Sequence, residues 1–281
     1  MSRIKIVCDS AGDIPPELAA ELGITIVPLS IRFGDRQFQD VVQLSADEFW
    51  RLAETSQELP QTAAPSPEAF ADTFAQAKQD GYDGVLCICI SSKLSATYQS
   101  AQLAAAEFQA GGFPVEVVDS LLATYGEGSL AVLAGRHSNA DLASLNTMVR
   151  AAAGRTRIVG ALDTLENLRK GGRIGAAAAT LGSLLAVKPI IEVVDGVVEA
   201  PAKQRTRRRA LDYLYDVVRQ ESNNIEQLAV ISARAPDVEE FTSHLKQIAR
   251  VDDVLVATIG PVIGAHAGPR TIGVCITKKA N

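Results

Sequence analysis

Apolar runs closed by turn residues, each followed by a segment with helical spacing, recur along the chain. The clearest begins at Gly84, where GVLCICI is apolar throughout and stops at Ser91 and Ser92, before an Ala-rich amphipathic segment that ends at Gly111. This pattern predicts a buried parallel strand, a polar turn carrying Ser91, Ser92, Ser95 and Thr97, and a helix beginning near Ser95. Upstream, residues 4–8 read as a strand, and DSAGDIPPELAAELG as a helix with Asp13 as cap, Pro15 or Pro16 in its first turn and Gly23 as its stop. Residues 24–33 return as a strand, and Pro28 within it predicts an edge or a bend. Ser45 with Glu48 forms a capping box for a helix running to about Glu54. After the proline-rich QELPQTAAPSP, Ser66 and Pro67 open a helix that Gly81 closes. Residues 115–120 then read as a strand, and 121–136 and 141–153 as helices.

Strand–helix alternation through this half predicts a parallel sheet covered on both faces. The second half has a different texture. Residues 157–162 and 189–194 look like strands, and Asp195-Gly196 is a two-residue hairpin signal. A helix over 206–220, a strand over 228–233, a helix over 236–248 and strands over 254–259 and 271–276 follow. The expected fold class is α/β in two domains. Residues 1–154 form an N-terminal parallel-sheet α/β/α domain, and residues 155–281 a C-terminal α/β domain with a mixed sheet.

Composition narrows the function classes. The 281 residues are 47% hydrophobic and 21% charged, a globular composition. A net charge of −6 argues against a general nucleic-acid binder, whose footprint is a basic excess. The opening MSRIKIVCDS is too short in apolar residues for a signal peptide, and no apolar stretch reaches the roughly 18 residues of a membrane span. Cys8, Cys87, Cys89 and Cys275 lie in strand-like runs, with neither zinc nor C-x-x-C spacing. Buried thiols in a reducing cytoplasm are therefore expected.

The candidate chemistry is sparse. P-loop, nucleophile-elbow and H-E-x-x-H signatures are missing, and the Gly-rich Gly171–Gly175 segment does not directly follow a strand. A helix start near Ser95 would offer unpaired N–H groups and partial positive charge to a phosphate or carboxylate, although an ordinary Ser cap explains that residue equally. Of the three histidines, His137 and His244 sit in polar, helical surroundings. His266 lies in IGPVIGAHAGPRTIG, read as a loop whose Gly and Pro residues hold specific turns and permit close approach of a ligand. Spacing alone leaves open a ligand role or a surface position. Thr62 is equally open, since its hydroxyl could serve a local turn. Arg205, Arg207, Arg208 and Arg209 place cations at the unfavourable end of a helix dipole, which leaves contact with an acidic partner or phosphate beside a merely solvated face. A metal site on Asp9 and His266 has too few ligands.

Taken together, IVCDSAGDIP, LPQTAAPSP, ISSKLSATYQSA, VVDSLLAT, LENLRKGGRIG and IGPVIGAHAGPRTIG resemble, in order and spacing over essentially the full length, the DegV family of fatty-acid-binding proteins. The resemblance implies a two-domain α/β protein with a long-chain fatty acid, such as hexadecanoate, buried between or beneath its domains. It implies no cofactor, no metal and no catalysis by this chain alone. Such a protein is the lipid-binding component that presents the acyl carboxylate to a separate ATP-dependent fatty acid kinase subunit, with room for transient membrane contact. Matched by motif, the carboxylate is held by the hydroxyls of Thr62 and Ser95 and the backbone N–H of Ala96, with His266 approaching from the second domain. Arg173, Arg205 and Arg207 then resemble positions for contact with the kinase or its phosphates. The chain departs from the usual pattern at Ala63, which lacks a hydroxyl, at Ala96, which adds a methyl, and at Arg270, which adds a charge. The same residues allow an acyl hydrolase with Ser95 as nucleophile and His266 as base, but without a clear third residue to orient the histidine.

Overall fold

In a computed structural model of the 281-residue chain, residues 3–56, 58–178 and 187–280 are described. The first sheet is parallel, with β2 (Thr25–Val27), β1 (Ile4–Asp9), β6 (Gly84–Cys89) and β7 (Val115–Asp119) side by side in that order. Every residue of β6 is buried, as a continuous apolar run requires of a central strand covered on both faces. On one face, α3 (Pro67–Gln79) and α4 (Thr97–Ala110) pack Phe70, Phe74, Ala101 and Ala105 against Val85 and Cys87. On the other, α5 (Tyr125–Arg136) and α6 (Leu142–Ala153) bring Leu130, Leu145 and Val149 onto Ile4, Leu86 and Ile88. Ser66 and Asp141 cap α3 and α6 through side-chain oxygens that accept from Ala69 N and Ser144 N.

The strand expected over 24–33 is two strands in different sheets. Pro28 offers no N–H to continue the ladder after β2, and the chain leaves the parallel sheet there. It re-forms as β3 (Ser30–Phe33), flanked in an antiparallel sheet by β4 (Arg36–Gln39) and β5 (Gln61–Ala63). Between them α2 (Ala46–Thr55) is capped by Ser45, whose Oγ accepts from Glu48 N at 3.2 Å, while the Glu48 carboxylate pairs with Arg51.

The second sheet runs β10 (Val197–Gln204), β9 (Lys188–Val194), β8 (Thr156–Ala161), β13 (Ile272–Lys278), β11 (Ile225–Ser232), β12 (Leu255–Thr258). It is mixed: β11 and β12 are parallel and the remaining pairs antiparallel. Asp195 (φ 48°) and Gly196 (φ 81°) make the expected tight hairpin, both in the positive-φ region that such a turn demands. The outer face is covered by α8 (Arg207–Glu221) and α9 (Val238–Ala249) through Leu214, Val218, Phe241 and Leu245. The inner face turns to the first sheet, so that Ile158, Ile231 and Cys275 share one core with Ile88 and Val118. Two short helices, α7 (Glu166–Lys170) and α10 (Pro261–Ala267), complete the chain. Among the described residues no helix is long and apolar enough to cross a membrane.

Asp13 does not cap α1 (Pro16–Glu21), whose N-cap position is Pro15 with no side-chain bond. Its backbone is left-handed (φ 47°), and its carboxyl ties the two halves of the chain together: Oδ1 accepts from Gly260 N at 2.9 Å, and Oδ2 from the Thr124 hydroxyl at 2.6 Å. Nearby, Asp9, Asp40 and Glu127 are fully buried. Asp9 accepts from Ala11 N and Ile90 N, and Glu127 Oε1 accepts from the Cys8 thiol, while Glu127 Oε2 and Asp40 Oδ2 have no partner. Burial pushes the Asp9 carboxyl up to about 6 and that of Asp40 to about 7, and raises Glu127 well above the usual carboxylate range. All four Cys thiols are free and buried.

A carboxyl with a raised folded-state pKa stabilises the fold while protonated and loses that contribution as pH rises toward the folded value. Thermal melts should therefore show stability falling as pH rises from about 4 to about 8, between the ordinary carboxylate value and the raised values of Asp9, Asp40 and Asp13, with Glu127 adding to the loss. Glu127→Gln keeps the neutral shape and should flatten this dependence; a variant with the wild-type slope would exclude Glu127 as its source.

Candidate ligand-binding site

A cavity lies between the inner face of the second sheet, the ends of β6 and β7, the sheet carrying β5, and α10. Aliphatic side chains dominate its walls: Ile158 and Leu162, Ile191 and Val193, Ile231, and Ile90 with Val262 and Ile263. Among the described residues its polar lining is Thr62, Ser95, Thr124, Arg173, His266 and Thr271. An apolar cleft with a few convergent polar groups is the usual form of a small-molecule site.

Thr62 is brought there by β5, in register with Ile31 of β3. His266 comes from α10, which is a helix where a loop was expected. Pro261 occupies its first position and Gly260 its N-cap, so a seven-residue helix is hidden in Gly- and Pro-rich sequence. Gly264 lets this helix sit directly on α2, since a Cβ there would lie 2.8 Å from Trp50 Cζ2 and 3.0 Å from Phe49 Cε1. The imidazole rests on the backbone of Gly171, where a Cβ would overlap His266 Nδ1. His266 Nε2 and Thr62 Oγ1 are 2.8 Å apart and hydrogen-bonded, and among the described residues Nδ1 has no partner. Burial, and then the charge of Arg173, lower the His266 pKa to about 4, so the ring is neutral at pH 7.

The helix expected near Ser95 starts slightly later, at Thr97, with Ala96 in the N-cap position and no side chain capping it. Ser95 Oγ lies 2.8 Å from Thr97 Oγ1, and both Ser95 and Ala96 line the cavity. Thr97 N, the first of α4, donates to Ser95 Oγ at 3.4 Å, while the N-cap Ala96 offers no side-chain acceptor, and the positive end of this 14-residue helix lies at the cavity wall. Ala96 has φ −77°, a value any L-residue adopts, so its methyl in place of glycine strains nothing. Ala63 also lines the cavity, where it offers no hydroxyl.

The arginines divide differently from expectation. Arg173 faces the cavity rather than an outer surface: its Nε donates to Leu94 O at 3.1 Å and its Nη1 to Gly171 O at 2.7 Å. It joins the Ser95 loop to the glycine that backs His266. Arg207 is a structural strut, with Nε and Nη2 donating to Asp237 Oδ2 and Oδ1 at 2.9 and 2.7 Å and Nη1 to Arg270 O at 2.8 Å. This hydrogen bonding also pulls the Asp237 pKa below its usual value. Arg205, Arg208 and Arg209 are exposed. Arg270 (φ 62°) directs its charge to Asp163 at 3.5 Å.

Among the described residues no hydrogen bond joins Ser95 to His266, and the charge acting on His266 is a cation, so no carboxylate orients the ring as a base. Asp9 is engaged by backbone amides away from His266, and no group of three or more His, Cys, Asp or Glu among the described residues is placed to hold a metal. Sequence reasoning missed Gly171 and the inward direction of Arg173; the GGR triplet directly after a short helix was the available signal.

A family model described as "uncharacterised protein, DegV family" matches residues 3–279. A DegV domain-containing protein of Deinococcus radiodurans is 36% identical over 282 residues, covering 97% of this chain and 98% of its own. The structure of a DegV family protein from Thermus thermophilus, described for its fatty acid binding, is 31% identical and superposes with a TM-score of 0.87 over 99% of this chain and 100% of that one. A stearic acid-binding protein from Eubacterium ventriosum is 28% identical, with a TM-score of 0.89 over 99% of each chain. With the parallel first sheet and the mixed second sheet of those structures, the chain belongs to the DegV family.

Proposed function

We propose that this protein binds a long-chain fatty acid in the cavity and presents its carboxylate to a separate ATP-dependent kinase subunit. The observation that carries the reading is a neutral polar cluster, centred on the Thr62–His266 hydrogen bond, set into an otherwise aliphatic cavity. A buried acceptor without a partner costs less than a buried donor without one. His266 Nδ1 has no partner, so the proton belongs on Nε2, which donates to Thr62 Oγ1. The Thr62 hydroxyl hydrogen is then free to donate to a carboxylate oxygen. Ser95 and the backbone N–H of Ala96 supply further neutral donors, and Arg173 adds positive potential with two of its donors already engaged.

The energetics favour a tail-driven complex. Hexadecanoate buries some 14 methylenes, about 11 kcal/mol of gross transfer energy at roughly 0.8 kcal/mol each. Ordering and immobilisation take back several kcal/mol. The head group therefore mainly fixes orientation, and neutral donors hold it less tightly than an ion pair would. A carboxylate oxygen so held remains able to attack the γ-phosphorus of ATP on the partner subunit, giving acyl phosphate and ADP. The exposed Arg205, Arg208 and Arg209 form the cationic face for that partner, and free thiols suit a reducing cytoplasm. A ligand this apolar is exchanged most directly at a lipid surface, which makes transient membrane contact part of the same reading.

Delipidated protein should take up long-chain fatty acid, identified by mass spectrometry of the re-extracted lipid; no uptake would end this proposal. Thr62→Val and Ser95→Ala should each weaken binding by about 1–3 kcal/mol in calorimetric titration, through unsatisfied head-group oxygens. Unchanged affinity in both variants would remove the head-group assignment. The imidazole of His266 should titrate near 4 by NMR, and a value near the usual 6.5 would contradict its burial against Gly171. Charge reversal at Arg205 and Arg208, with Arg207 left intact, should preserve lipid binding and lower acyl phosphate formation with the kinase. Full activity would exclude that face.

A further inference from the structure

One row of the second sheet runs along the cavity through residues paired strand to strand: Ile191 of β9, Gly160 of β8, Gly273 of β13 and Ile231 of β11, all of which but Gly273 line it. Directly opposed residues share a face, so two glycines lie side by side between two isoleucines that stand three strand spacings, about 14 Å, apart. The two glycines are there for different reasons. A Cβ on Gly273 would lie 2.5 Å from Val159 O and 3.1 Å from Ile231 Cδ1, so backbone and packing forbid one. A Cβ on Gly160 would meet only ordinary contacts: Ile272 O at 3.7 Å, Leu162 Cδ1 at 3.8 Å and Ile191 Cγ1 at 3.9 Å.

Gly160 is also absent from the positive-φ glycines, so its backbone does not require the residue. The remaining glycine in a described strand, Gly84, is hemmed in by Pro114 O at 3.0 Å. Glycine weakens a strand relative to residues with a side chain. Gly160 is therefore tolerated where neither backbone nor packing asks for it, and it lines the cavity while Gly273 does not. Any side chain there would project between Leu162 and Ile191, into the space a ligand would fill.

We infer that Gly160 is a specificity-determining residue, the bare floor over which the acyl chain crosses the sheet, and that side-chain size at this position sets the bulk of chain the cavity accepts. This rests on the fatty acid reading above. The test compares wild type, Gly160→Ala and Gly160→Val, delipidated, for melting temperature and for affinity toward octadecanoate, which is straight, and cis-octadecenoate, which is bent. Both variants should melt no lower than wild type. Gly160→Val should lose about tenfold or more in affinity for both acids, as overfilling a packed space does. Gly160→Ala should lose more for the bent acid than for the straight one. A Gly160→Ala variant that melts lower would show that packing does demand the glycine, and overturns the inference. A Gly160→Val variant that folds and binds both acids within about twofold of wild type overturns it equally, being far below the cost of overfilling. Wild type that binds neither acid is a different result, which removes the fatty acid reading and this assignment together.

Discussion

His266 is uncharged because burial strips the water that would solvate an imidazolium, and because Arg173 lies close enough to oppose a second positive charge. Much of the site's construction serves that state. Gly171 leaves room for the ring, and Gly264 lets α10 settle on Trp50 and Phe49. Asp13 fixes the start of the same helix by accepting from Gly260 N. Thr62 closes the ring from the other side, on a strand 204 residues away in sequence. A charged histidine at this place would need an anion beside it, and among the described residues the wall provides none.

The Ser95 loop is placed by the opposite half of the chain. Ser91 donates to Gly196 O at 2.7 Å and Lys93 Nζ to Asp195 O at 2.7 Å, so the tip of the β9–β10 hairpin sits on the turn after β6. A Cβ on Gly196 would lie 2.5 Å from Ser91 Oγ, which makes this glycine necessary for contact as well as for the turn. Arg173 fixes the next residues through Leu94 O. The uncapped end of α4 and the histidine of α10 thus converge because both halves hold the same short loop.

Local physics made much of this legible. Ser45 and Ser66 cap helices where the spacing predicts, and Asp195-Gly196 turns as its φ preferences require. Pro28 reads correctly as an interruption, but nothing local says that the chain changes sheets there. The helix bearing His266 is obscured because its stability comes from packing Gly264 on α2 rather than from propensity. Arg207 looks like a misplaced cation until Asp237, which receives both its hydrogen bonds, is brought beside it by tertiary structure. Asp13 has a capping residue's identity and a capping residue's position, and is used instead to join distant segments. Side-chain direction was the missing quantity for Arg207 and Asp13, and chain path and packing for Pro28 and α10.

The titratable groups near the cavity share one electrostatic logic. Burial raises Glu127 well above the usual carboxylate range and Asp13, bonded to Thr124 of the lining, to about 8, and it lowers His266 to about 4, so the neutral form of each prevails at pH 7. Arg173 is the cation in the lining, and its Nε and Nη1 are bonded to backbone carbonyls, so it supplies potential more than a two-pronged grip. An entering carboxylate, on the proposed reading, meets among the described lining residues no fixed anion and one cation, Arg173, whose Nε and Nη1 are already engaged. Its charge is offset by one immobilised guanidinium, a helix start and hydroxyls, each of which gives up a head-group oxygen at small cost. The aliphatic walls then retain the ligand while its reactive end stays available, a division of labour that a salt bridge at Thr62 or Ser95 would remove.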